Sequence, residues 1–74
     1  MKLQNVRISR GLSQSQLAEK ANMSVRTLQN YETGYRSIEN ANLSTLCRLA
    51  VALNCQLVDL VESEELIDLL NKLK

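Results

Sequence analysis

Apolar residues recur along this chain at helical spacing, in short stretches separated by polar turns. Leu3 and Val6 stand three apart in a basic stretch over residues 2–10, which Gly11 stops and from which Leu12 turns into the core. Leu17, Ala18 and Ala21 share one face of a second stretch, and Leu28 and Tyr31 one face of a third. Leu43, Leu46, Leu49, Ala50 and Leu53 follow with 3,3,1,3 spacing, which predicts the broad stripe of a buried fourth helix. Leu57, Leu60 and Val61 predict one or two turns of a fifth, with Asp59 supporting its start electrostatically. With Tyr31 and Tyr35 the only aromatics, no proline, and glycine only at Gly11 and Gly34, the core is built from Leu, Ile, Val and Ala. That composition suits packed helices better than a sheet, so the fold class is all-α.

The second and third stretches carry their own start and stop signals. Ser13 with Gln16 forms an S-x-x-Q capping box, which starts a helix at Gln14. Asn22 falls where a left-handed residue is needed, Met23 plugs inward, and Ser24 caps the next helix. Two short amphipathic helices joined by one tight turn make a helix-turn-helix at residues 14–33. The second of them leaves Val25, Arg26, Thr27, Gln29, Asn30 and Thr33 facing away from Leu28 and Tyr31, a polar set suited to reading base edges. Gly34 ends it, and residues 35–42 form a polar loop anchored by Ile38 and Ala41. Asn42 or Ser44 caps the fourth helix and Asn54 ends it.

Residues 63–74 predict a sixth helix, with acids in its first turn and lysines at its end. Leu66, Ile67, Leu69, Leu70 and Leu73 give it a wide apolar face that a piece so short cannot keep stable alone in water. The face docks on its own bundle or on a two-fold related copy, and both remain open. A chain of 74 residues is one domain whose core is near the lower limit for folding without metals or disulfides, so oligomerisation would help it.

Net charge is +1, but it is unevenly spread. Residues 1–37 carry six basic and two acidic side chains, a net +4, and residues 38–74 carry three basic and six acidic, a net −3. Such a dipole suits a domain that turns one face to phosphates. The longest apolar run, residues 49–53, is far short of the roughly 20 residues that cross a bilayer, and no secretory signal is readable. The expectation is a cytoplasmic protein with no membrane partner.

Cys47 and Cys55 are eight apart and there is no histidine, which excludes ordinary zinc spacing. Cys47 lies within the apolar pattern and reads as a buried small hydrophobe, and Cys55 follows that helix directly. Neither has an evident base and no paired carboxylate site accompanies them, so the expectation is a protein that is not an enzyme and that holds no metal or cofactor. Two tyrosines make no stacking platform for single-stranded RNA.

Arg7, Gly11-Leu12-Ser13-Gln14, Leu17-Ala18, Met23-Ser24, Leu28, Tyr31-Glu32 and Gly34 together resemble the Cro/cI-type (XRE) helix-turn-helix family, over about residues 3–62. The later L-x-x-L-A-x-A-L-N and L-x-D-L stretches agree with that family's fourth and fifth helices. The resemblance implies a five-helix orthogonal bundle of the lambda-repressor-like DNA-binding type over residues 1–62, with residues 63–74 as the extra sixth helix. It implies a structural ion pair between Arg7 and Glu32. It places Val25, Arg26, Thr27, Gln29 and Asn30 where the family reads bases, Arg26 being suited to guanine O6 and N7 and Gln29 or Asn30 to adenine. Arg26 and Asn30 share one face, with Gln29 displaced from them by roughly 60 to 100 degrees. Gln14, Ser24, Tyr35, Arg36 and Ser37 fall where phosphates are met, Gln14 at the positive end of a helix. Two departures stand out: the loop after Gly34 is longer by about three residues and lacks the usual proline, and Asn22 replaces a glycine.

The function so implied is sequence-specific binding of double-stranded DNA by a small transcriptional repressor, a homodimer on a short inverted repeat. The competing reading is a protein-interaction module of antitoxin type, in which the face from Leu66 to Leu73 binds a protein partner and DNA contact is secondary.

Overall fold

A computed structural model of the chain describes residues 2–73. Five α-helices follow one another: α1 (Lys2–Ser9), α2 (Gln14–Lys20), α3 (Val25–Thr33), α4 (Leu43–Leu53) and α5 (Glu64–Lys72). Single 3₁₀ turns at Ile38–Asn40 and Leu57–Asp59 interrupt the connections, and there is no strand among the described residues. Lys74, counted above with the lysines that end the last helix, lies outside them.

Local chemistry sets most of these boundaries. Ser13 Oγ accepts from the Gln16 amide at 3.1 Å while Gln16 Oε1 accepts from the Ser13 amide at 2.8 Å, closing the box that starts α2. Ser24 caps α3 through the Thr27 amide, and Asn42, not Ser44, caps α4 through the Thr45 amide. Three helices end in the same way. Gly11, Asn22 and Asn54 adopt positive φ, and the residue after each donates its amide to a carbonyl five positions back: Leu12 to Arg7, Met23 to Ala18 and Cys55 to Ala50. The side chains of Leu12, Met23 and Cys55 then tuck against the core, so each stop signal also fixes the direction in which the chain leaves.

α2 packs on α3 and α4, and α1 packs on α3 and on the turn at Leu57–Asp59. Leu3, Leu17, Leu28, Ile38, Leu49, Leu53 and Leu60 are fully buried between them. Tyr31 joins this core, whereas Tyr35 is exposed.

The structure corrects several expectations. The fifth stretch is only a 3₁₀ turn, Leu57–Asp59. Its exit is held from outside: Lys2 Nζ donates to the carbonyls of Val58 and Val61 at 2.9 and 2.7 Å, taking acceptors that a continuing helix would use. The segment beginning after Ser63 is therefore the fifth α-helix, and no sixth stands among the described residues. Leu43 and Cys47 are exposed, although the spacing assigned Leu43 to the buried stripe and Cys47 to the interior. The buried arc of α4 is narrower, formed by Thr45, Leu49, Ala50 and Leu53, with Leu46 half-buried. α5 packs on the Leu57–Asp59 turn with Leu66, Ile67 and Leu70 half-buried, and leaves Leu69 and Leu73 exposed.

Candidate nucleic-acid interface

The surface around α3 rests on a continuous polar chain through three helices. Glu32 is buried, and its carboxylate accepts from Arg7 Nε at 2.7 Å and from Arg7 Nη2 at 3.1 Å. The third nitrogen of that guanidinium, Nη1, donates to the Leu12 carbonyl at 2.8 Å, which ties the corner between α1 and α2 to the same pair. Gln14 Nε2 donates to Glu32 Oε1 at 3.1 Å, and Gln14 Oε1 in turn accepts from Gln29 Nε2 at 3.1 Å. A buried carboxylate with three donors is stabilised, where an isolated one would carry an effective desolvation penalty on the order of several kcal/mol. The consequence for α3 is positional: its axis is pinned to α1, and one of its exposed amides is oriented by α2.

On α3 itself the polar set divides by burial. Arg26 and Gln29 are exposed, Asn30 is half-buried, and Thr33 is exposed on the same side, seven residues after Arg26. Val25 packs in part against the core, and the Thr27 hydroxyl accepts from Ser24 Oγ at 2.8 Å within the cap. Arg26 and Gln29 are thus the most accessible of the candidates, Asn30 and Thr27 are half-buried, and Val25 packs in part against the core. Thr33 belongs to the outward-facing set of the sequence but not to the five residues that the family resemblance places at bases, and its spacing from Arg26 and Asn30 puts it on their face.

The loop after α3 folds back on the helix. The Arg36 amide donates to the Asn30 carbonyl at 3.0 Å, and Tyr35, Arg36 and Ser37 stay exposed around a shallow cleft of about 340 Å³ shared with Tyr31 and Asn40. Ser37 Oγ donates to Glu39 Oε1 at 3.2 Å, so that hydroxyl is engaged within the loop. Gly34 adopts φ +83°, the left-handed conformation that glycine takes without strain, and this aims the loop back along α3.

The basic side chains of the first half do not all serve one surface. Arg10 donates to the carbonyls of Leu53 and Asn54, Lys2 to those of Val58 and Val61, and Arg7 to Glu32 and Leu12. Lys2 and Arg10 thus tie α1 to the later part of the chain, and Arg7 ties it to α3. Arg26 and Arg36 remain exposed beside α3, and Lys20 is exposed at the end of α2. Cys55, half-buried beside α1, has its thiol pushed up by burial and by nearby Asp59, against a smaller opposing effect of Arg10.

The helix pair, its turn and the ion pair behind it define a class of DNA-binding domain, and the comparison with known families agrees. The helix-turn-helix family model matches residues 3–60, from α1 through the Leu57–Asp59 turn. The chain belongs to the Cro/cI-type helix-turn-helix family of DNA-binding transcription regulators. Comparison with curated proteins and with solved structures gives no match. No helix among the described residues is long and apolar enough to cross a membrane.

Proposed function

We propose that the chain is a sequence-specific repressor that inserts α3 into the major groove of double-stranded DNA. The observation that carries this reading is the set of exposed Arg26 and Gln29 with half-buried Asn30, on a helix tied to α1 and α2 by the chain from Arg7 through Glu32 and Gln14. Arg26 reads guanine through O6 and N7. Gln29 reads adenine: one N–H is committed to Gln14, which leaves its other N–H for N7 and its Oε1 for the N6 amino group. Gln14 at the start of α2 and Arg36 after α3 flank this set and meet phosphates, so they set register and not sequence. Ser24 and Tyr35 are further phosphate contacts, and Ser37 contributes through its backbone.

The protein acts as a dimer on an inverted repeat. Leu73, 81% exposed, lines an open apolar cleft with Leu70, Gln56, Leu57 and Val58, and Leu69, 49% exposed, adds to the apolar surface of the same helix, a surface that a second copy covers. Two copies place their α3 helices one DNA turn apart, and occupancy of the site excludes other proteins from the promoter.

The variant Arg26→Ala with Gln29→Ala tests this reading on a duplex selected by the wild-type protein. The expected result is loss of selective binding, with helicity and dimer mass unchanged. Retained selectivity would refute the assignment of these residues to bases.

A further inference from the structure

The outer side of α4 is apolar where a solvated helix is normally polar. Leu43, Cys47 and Val51 stand four apart and fall along one line of the helix. All three are exposed, Leu43 at 67% and Val51 at 81%. The core makes no use of this line: the buried arc of α4 is formed by Thr45, Leu49, Ala50 and Leu53, with Ala50 at the edge nearest Leu43. Two cations border it. Arg48 and Lys20 line, with Cys47 and Val51, a shallow cleft of about 220 Å³ between the end of α2 and α4. Among the described residues neither cation has a carboxylate within 4.0 Å, and Arg48 donates only to Thr45 Oγ1, at 3.4 Å.

We propose that this line docks an acidic amphipathic helix of a different protein. The partner lays apolar side chains at i, i+4 and i+8 along Leu43, Cys47 and Val51, and sets carboxylates against Lys20 and Arg48. The charges decide between occupants. A second copy related by an axis at Cys47 would bring Arg48 to its own counterpart, and like charges facing each other disfavour that pairing; the acidic α5 of a second copy is already engaged on the Leu57–Asp59 turn of its own chain. A nucleic-acid backbone would pair with the cations but leave the apolar line in contact with phosphates. An acidic helix satisfies both features together.

Eight residues of helix span about 12 Å, so the contact is far smaller than a stable interface of roughly 1,200 Å² or more. The complex is therefore transient. No α3 residue lines the cleft, so a partner seated there leaves α3 uncovered.

The test is a titration of the isotope-labelled whole chain, followed by NMR, with two synthetic helical peptides of the same leucine spacing. One carries glutamates beside the leucines and the other lysines. The expected result is fast-exchange shifts at Lys20, Leu43, Cys47, Arg48 and Val51 with the glutamate peptide only. Val51→Ser weakens the binding roughly tenfold, and Arg48→Glu shifts preference toward the lysine peptide, with DNA binding and thermal midpoint unchanged in both variants. Equal responses to the two peptides, no response, or shifts centred on α5 would overturn the proposal. So would sedimentation showing that Val51→Ser dissolves a self-association, which would make this face an interface between copies.

Discussion

Gln29 donates its amide to Gln14 Oε1 at 3.1 Å, across the turn that joins α2 to α3. A residue on the exposed face of one helix is thereby oriented by the first residue of the other. Because Gln14 also donates to the buried Glu32, the orientation is transmitted from the interior to the surface.

Removal of that link lowers DNA affinity without unfolding the protein. Gln14→Ala frees Gln29 to adopt other rotamers, removes the proposed side-chain contact of Gln14 to phosphate, and leaves Glu32 with its two bonds from Arg7. The expected loss is about 1 kcal/mol of binding, near fivefold, with a smaller change in stability. Anisotropy titration on a selected duplex, paired with thermal melting, separates the two effects.

The ion pair behind α3 governs folding. The Glu32 side chain is 1% exposed and that of Arg7 11%, so Arg7→Ala strands a buried carboxylate. The expected cost is about 3 to 5 kcal/mol, a large part of the stability of so small a domain. The double variant Arg7→Met with Glu32→Leu loses much less than Arg7→Ala, because no charge is left behind. Chemical denaturation of the three proteins gives the comparison directly.

On the proposed reading, the exposed leucines of α5 join two copies and contribute little within one chain. Leu69→Ser with Leu73→Ser is expected to convert dimer to monomer in sedimentation, with stability within about 0.5 kcal/mol of the parent once protein concentration is accounted for. Leu28→Ala behaves oppositely: its side chain is wholly buried, and a loss of about 3 to 5 kcal/mol is expected from the transfer term and the cavity.

The two cysteines differ in reach and in ionisation. Cys47 is exposed on α4, whereas Cys55 is half-buried with its thiol raised by burial and Asp59. Maleimide at neutral pH is expected to label Cys47 about tenfold faster, read by mass spectrometry of timed digests. The same shift has a stability sign. A thiol whose folded pKa lies above its unfolded value binds its proton more tightly in the folded state. Cys55 therefore leaves stability unchanged below the ordinary thiol pKa and lowers it as pH rises from there through the raised value.

The features that local chemistry controls were legible in the sequence. Ser13, Asn22, Ser24 and Asn54 act on backbone groups within a few residues, so their types and spacing suffice to place the ends of α2, α3 and α4. The depth of burial around α4 was not legible. The 3,3,1,3 spacing marks a side of the helix but not the width of its covered arc, and Leu43 and Cys47 lie beyond what α2 and the Leu57–Asp59 turn cover. The 3₁₀ turn was missed because an amine from Lys2, 56 residues away in sequence, takes its carbonyl. The same kind of distant pairing commits Arg10 to the end of α4, so the basic count of the first half overstated the charge available beside α3. The link from Gln14 to Gln29 depends on how α2 and α3 meet, which no local signal specifies.

The central claim is that α3 reads sequence as one half of a symmetric pair. Selection of bound duplexes from a random library at moderate salt, with affinity for the winners then measured at two salt concentrations, tests it most directly. The account predicts an enriched inverted repeat with half-sites one helical turn apart, and a modest salt dependence in keeping with the few cations free beside α3. No enrichment, with only weak and strongly salt-sensitive binding, would contradict it.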